Sequence, residues 1–179
     1  MSERRIVFVA QDGAAVPPLA EAARAVGLEP VVVAARGLDA VERAGLRLVR
    51  LDSAPSLNPV TAGYGAGRLA AFLRHEGASL VHCLGLRAVL VGGAAAAMAG
   101  IPRRVFSLSR ADLLGDRSGP AARVGRLGVR ALVRGLSTAQ TRYLLEDGAD
   151  PALLGLDAAR VGADDAAGAQ AAYAALLAS

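Results

Sequence analysis

Histidine, carboxylate and arginine side chains at a few fixed positions are the ones in this sequence that could do chemistry. His82 ends the apolar run Ser79-Leu-Val-His-Cys83, where a strand-end imidazole would point into the crevice above a sheet, close to Asp12 and to the loop that follows Leu108. Its two readings are a ligand contact and a hydrogen-bonded structural histidine. His75, near the end of an exposed helical stretch, reads as a solvated residue. With only these two histidines and no nucleophile spaced to meet them, no nucleophile–base–acid triad can be assembled, and hydrolase chemistry is disfavoured.

All 20 basic residues are arginine, which removes Schiff-base catalysis and any phosphate-loop lysine, because both need an ε-amine. Asp12 and Asp52 follow apolar runs as the magnesium-holding acids of receiver domains do, but that arrangement also needs a lysine; both read as strand-end caps. A dinucleotide fingerprint would place glycines just after the first strand, where Gln11-Asp-Gly-Ala-Ala15 stands instead. Gly63-Tyr-Gly-Ala-Gly67 follows a loop rather than a strand and lacks the context that gives such a motif its meaning. The lone Cys83 can form neither an internal disulfide nor a cysteine-rich metal site, so no metal and no cofactor are expected and a reducing cytoplasm is the expected compartment.

Arg123, Arg126, Arg130 and Arg134 recur at spacings of three, four and four, which aligns them on one stripe of a helix beside Val124, Leu127 and Val133. Such a stripe suits anionic lipid head groups at the inner face of a membrane; the alternative is a solvated outer face. The formal charge of +4 would also suit nucleic acid, but three Tyr and three Phe scattered along the chain give no stacking platform, and nucleic acid is not expected as a partner. The longest apolar stretch, Ala88 to Ile101, is too short to span a bilayer, which takes ~20 residues. No apolar signal core opens the chain.

The elements that must position these residues alternate. Apolar β-branched runs at Arg4–Ala10, Pro30–Ala35, Leu46–Leu51, Ser79–Cys83 and Arg103–Leu108 predict strands. Helical spacing predicts helices over Leu19–Val26, Leu38–Ala44, Thr61–Glu76, Leu86–Ala99, Pro120–Gly135 and Ala166–Ala178. Ser137–Thr141 reads as a last short strand followed by a helical turn over Arg142–Gly148. Asp52–Pro59 and Ser109–Gly119 read as loops. Strict alternation implies right-handed crossovers, hence an α/β fold: one Rossmann-like, doubly wound, mostly parallel sheet with helices on both faces.

Several strings in this order resemble the N-terminal, acceptor-side domain of bacterial GT-B glycosyltransferases of the family-4 type: Ala20-Glu-Ala-Ala-Arg-Ala-Val-Gly27, Ala44-Gly-Leu-Arg-Leu-Val-Arg-Leu51, Asn58-Pro59, and Ser79-Leu-Val-His82 followed by Gly92 to Pro102. The resemblance spans residues 4 to 162 and implies a domain over 1–162. Residues 163–179 would then be a terminal helix packing back on it, with the second, nucleotide-sugar domain absent. It implies a role in polysaccharide or lipopolysaccharide-type glycan synthesis alongside a separate donor-binding partner. A lipid-linked or glycan acceptor would lie against Asp12, Asn58, His82 and Ser109. The sequence departs from the family after the first strand (Asp12-Gly-Ala-Ala15), after His82 (Arg87-Ala88) and after the fifth strand (Ser109-Arg-Ala-Asp112). These departures fall on the acceptor side and leave open a non-enzymatic binding or scaffold module.

Overall fold

A computed structural model describes residues 4–51, 59–113, 119–146, 150–153 and 155–178. Seven strands run through it: β1 (Arg4–Asp12), β2 (Leu28–Arg36), β3 (Arg47–Arg50), β4 (Ala78–Leu84), β5 (Arg104–Leu108), β6 (Thr141–Leu145) and β7 (Val161–Ala163). All pair in parallel in one sheet of order β3-β2-β1-β4-β5-β6-β7. The chain therefore has an α/β, Rossmann-like fold. Because β1 leads outward to β2 on one side and borders β4 on the other, the winding reverses between β1 and β4. Crossovers leave on opposite faces there, the winding at which open α/β sheets bind ligands at the carboxyl ends of their strands.

Ile6 to Ala10 are all buried because helices cover both faces of the sheet. The period-two alternation sends Val7, Val9, Val81 and Phe106 to one layer, under α3 (Pro59–His75), α4 (Leu86–Ala99) and α5 (Pro120–Gly135). It sends Ile6, Phe8, Leu80 and Val105 to the other, under α1 (Val16–Ala25), α2 (Leu38–Arg43) and α6 (Ala166–Leu177). With so few aromatics, small residues set the spacing of these layers. At Gly92 of α4 an added Cβ would stand 2.7 Å from Cys83 Sγ and 3.2 Å from Val9, so the absence of a side chain is what lets the helix lie this close to the sheet. At the amino edge, the buried Glu76 takes both terminal nitrogens of Arg47, at 2.6 and 2.8 Å, and lies 3.5 Å from Arg5, tying the end of α3 to β3 and β1.

Two expectations are corrected. The strand expected at Ser137–Thr141 begins only at Thr141 and occupies the segment read as a helical turn. The reason is local: Thr138 N–H donates to Thr141 Oγ1 at 2.8 Å and Thr141 N–H returns to Thr138 O, a turn that must finish before the strand can start. β7, three residues long, has no periodic pattern of its own in the sequence. Val133 does not belong with the exposed side of α5 but is wholly buried, with Val129 and Ala122 on the core-facing side.

Candidate functional site

At the carboxyl edge, the ends of β5, β6 and β7 bring together a row of polar groups. Ser109, just past β5, closes a tight turn: its N–H and its hydroxyl both donate to Asp112 Oδ2 at 3.0 Å, and Asp112 N–H returns to Ser109 Oγ. Glu146, just past β6, accepts from Arg110 N–H at 3.2 Å and so ties the two loops together. Asp164, just past β7, is anchored by its own N–H to Leu145 O at 3.0 Å and presents an exposed carboxylate. Gly85, after β4, donates to Ser107 O and adjoins Asp112. Carboxylates held on strand ends can accept hydrogen bonds from a ligand's hydroxyl groups, since a carboxylate accepts two or more O–H bonds with a fixed geometry, whereas the Ser109 hydroxyl is engaged within its own turn.

His82 does not open on this edge. It is fully buried on the face covered by α6, and both ring nitrogens are engaged: Nδ1 lies 2.7 Å from Tyr173 Oη of α6 and Nε2 lies 2.8 Å from Ser107 Oγ of β5. Ser107 Oγ in turn donates to Asp164 Oδ1 at 2.7 Å. Because that bond uses the only serine proton, Nε2–H must donate to Ser107, and Nδ1 accepts from the Tyr173 hydroxyl. The protons of the chain Tyr173–His82–Ser107–Asp164 thus all point one way, from the core to the carboxyl edge of the sheet. Phe8 closes the ring cluster, with centroids 5.3 Å from His82 and 6.5 Å from Tyr173. Although Ser, His and Asp are neighbours here, the serine hydroxyl is spent on the carboxylate and buried, so the trio is a structural relay rather than a nucleophilic triad.

Burial sets the electrostatics. It lowers the His82 pKa to about 3, so the imidazole is neutral, and it pushes the Tyr173 hydroxyl and the Cys83 thiol up. Asp164 is raised first by desolvation and then by Glu146 and Asp165, against the lowering effect of the Ser107 hydrogen bond.

The remaining expected residues separate. Asp12 accepts from Ala14 N–H at 2.9 Å as the cap of a 3-10 turn and leans toward the end of β2, where a Cβ on Gly37 would come within 1.9 Å of its Oδ1. It stands on the far side of β1 from Ser109. Asn58 lies outside the described residues. Of the arginine stripe, Arg123 and Arg134 are exposed and Arg126 and Arg130 half-buried. They run along one flank of α5, while Val124 and Leu127, 70% and 64% exposed, occupy its outermost line. Among the described residues no group of three or more His, Cys, Asp or Glu could hold a metal ion, and no helix is long and apolar enough to cross a membrane. Asp112, Glu146 and Asp164 were missed in the sequence. Each does follow an apolar run, but two of those runs had not been recognised as strands.

The chain matches no protein-family model, and a sequence search of curated proteins finds no match. Solved structures share its fold. A glycosyltransferase from Rickettsia africae superposes with a TM-score of 0.63 at 12% identity, covering 92% of this chain and 43% of the other. S. aureus MnaA, solved with UDP, gives 0.61 at 16% identity over 92% and 46%, and Acinetobacter baumannii MurG gives 0.60 at 13% identity over 89% and 45%. The chain thus spans a little under half the length of these neighbours.

Proposed function

We propose that this chain is the acceptor-side half of a GT-B-like glycosyltransferase of bacterial glycan synthesis, acting with a donor-binding partner at a membrane surface. The observation that carries this reading is the row Ser109, Asp112, Glu146 and Asp164 at the carboxyl edge of a sheet whose structural neighbours include glycosyltransferases. In this reading the row takes the hydroxyls of a sugar acceptor, and the Ser107–His82 relay fixes Asp164 from behind. A donor half facing the same edge would supply the nucleotide sugar, because transfer requires both substrates to be held in one cleft. The exposed Val124–Leu127 line with its arginine flank would hold the chain against anionic lipid, where lipid-linked acceptors reside.

The test is affinity capture from the native host, followed by assay of the captured mixture with UDP-sugars. Recovery of a nucleotide-sugar-binding protein, with transfer that falls at least tenfold in Asp112→Asn and Asp164→Asn, is the expected result. Capture without such a protein, and with no sugar nucleotide consumed, would overturn the enzyme reading in favour of a binding or scaffold module. That second reading is favoured by the way Asp12 is spent on its own turn.

A further inference from the structure

At the opposite, amino edge of the sheet, a cavity of about 340 Å³ lies between the end of α5, the turn before β6 and the segment leading into β7. Its polar lining is Arg134, Arg160, Ser137, Thr138, Tyr143 and Asp157. The hydroxyl protons are already committed inward: Tyr143 donates to Ser137 Oγ at 2.6 Å, Ser137 to Val133 O, and Thr138 to Pro102 O at 2.6 Å. The guanidiniums are not. Arg134 gives one N–H to Gly155 O at 3.1 Å and Arg160 gives one to Thr138 O at 3.2 Å, which leaves the rest of each fork unspent.

Charge is unbalanced here as well. A Cβ placed on Gly155 would lie 2.5 Å from Arg130 Nη2 and 3.1 Å from Arg134 Nη2, so two like charges crowd one glycine. Among the described residues neither meets a carboxylate, and Arg160 meets only Asp157, at 4.0 Å and on the exposed side. Three cations around one acid repel one another unless an anion enters, and paired guanidinium forks match the oxygens of a phosphate. The carbonyl end of α5 opposes an anion, but Arg104 donates to Leu136 O there and removes part of that field.

We propose that this cavity binds a phosphate group, held between Arg134 and Arg160 with Arg130 beside them. Its volume, at the low end of ligand pockets, suits a phosphate ester larger than the free ion. The source is either a soluble phosphate ester or the phosphomonoester head group of a lipid. The site stands apart from the acceptor row, and Arg160 is not on α5, so it can be tested separately from both.

The experiment is calorimetric titration of the full chain with inorganic pyrophosphate. Saturable binding that weakens at least tenfold in Arg134→Gln and in Arg160→Gln, and tightens in Asp157→Asn, is expected; the gain in Asp157→Asn is a readout that loss of folding would not produce. No saturable binding at millimolar pyrophosphate, or equal affinity in Arg160→Gln, overturns the proposal. Co-sedimentation with phosphatidylcholine vesicles carrying phosphatidic acid or, at matched surface charge, phosphatidylglycerol then separates the sources. A preference for phosphatidic acid that Arg160→Gln abolishes supports a lipid head group; equal sedimentation with pyrophosphate binding intact supports a soluble ester. Leu127→Asp tests the membrane reading alone and leaves pyrophosphate binding unchanged.

Discussion

His82 joins three elements through two hydrogen bonds, and its protonation is coupled to folding. In the unfolded chain it titrates near 6.5, whereas in the fold it stays neutral down to about 3. Above pH 6.5 both states are neutral and the group has no effect on stability. As pH falls below 6.5 the unfolded chain takes up a proton that the fold refuses, so stability is lost progressively down to about pH 3, where the loss levels off. Urea unfolding at pH 7, 5 and 4 checks this, and His82→Leu should flatten the dependence over that window. Tyr173→Phe leaves Nδ1 buried without a donor and should cost roughly 1–3 kcal/mol at neutral pH. Ser109 was legible as an edge residue because it directly follows an apolar strand. For His82, sequence could place the imidazole on a strand but not say what covers that strand, because its partner Tyr173 lies 91 residues away.

At the scale of elements, α5 carries its charge and its apolar surface differently from what spacing alone implies. The core side is Ala122, Val129 and Val133, which leaves Val124 and Leu127 outward and the arginines on the flank. Replacing Arg123 by Gln, or Leu127 by Asp, should cut sedimentation with anionic vesicles several-fold while leaving thermal stability within about 0.5 kcal/mol, since both positions are exposed and exposed positions contribute little to folding. Vesicle binding equal to that of the parent chain would remove α5 from the membrane reading. The close approach of α4 to the sheet gives the opposite kind of prediction. Gly92→Ala forces a methyl against Cys83 and Val9 and should cost about 1–3 kcal/mol, read as a lowered denaturation midpoint. Long strands and helices were legible because period two and period 3.6 persist over several turns. β6 and β7 were not, since Thr141–Leu145 and Val161–Ala163 are too short for periodicity and are ordered mainly by pairing with a neighbour already in place.

For the molecule as a whole, α6 closes the second core layer. Ala169, Tyr173 and Leu176 are fully buried against α1 and the sheet, and Asp165 caps the helix by accepting from Gly168 N–H at 2.6 Å. Removing residues 166–179 would strip that layer and leave His82 Nδ1 unpartnered. The truncated chain should bind a hydrophobic dye and lose its cooperative thermal transition; a transition as sharp as that of the full chain would show that the remaining layers suffice. The doubly wound architecture followed from strict alternation of strand and helix, which admits few topologies. The reversal between β1 and β4 is a property of strand order and is therefore visible only in three dimensions.

The fully buried Tyr173 has a practical consequence for observing this protein. The chain has no tryptophan and three tyrosines, of which Tyr64 is exposed, Tyr143 touches the amino-edge cavity and Tyr173 begins the relay that ends at Asp164 on the carboxyl edge. The phenol absorption and emission therefore come from three known rings, with no indole to mask them or drain their excitation. A phenol's spectrum responds to the strength of its hydrogen bond, so a ligand that pulls on Asp164 shifts Tyr173, and one that fills the cavity shifts Tyr143. Single Tyr→Phe replacements would assign each signal, and the two ends of the sheet could be read optically in the unlabelled protein.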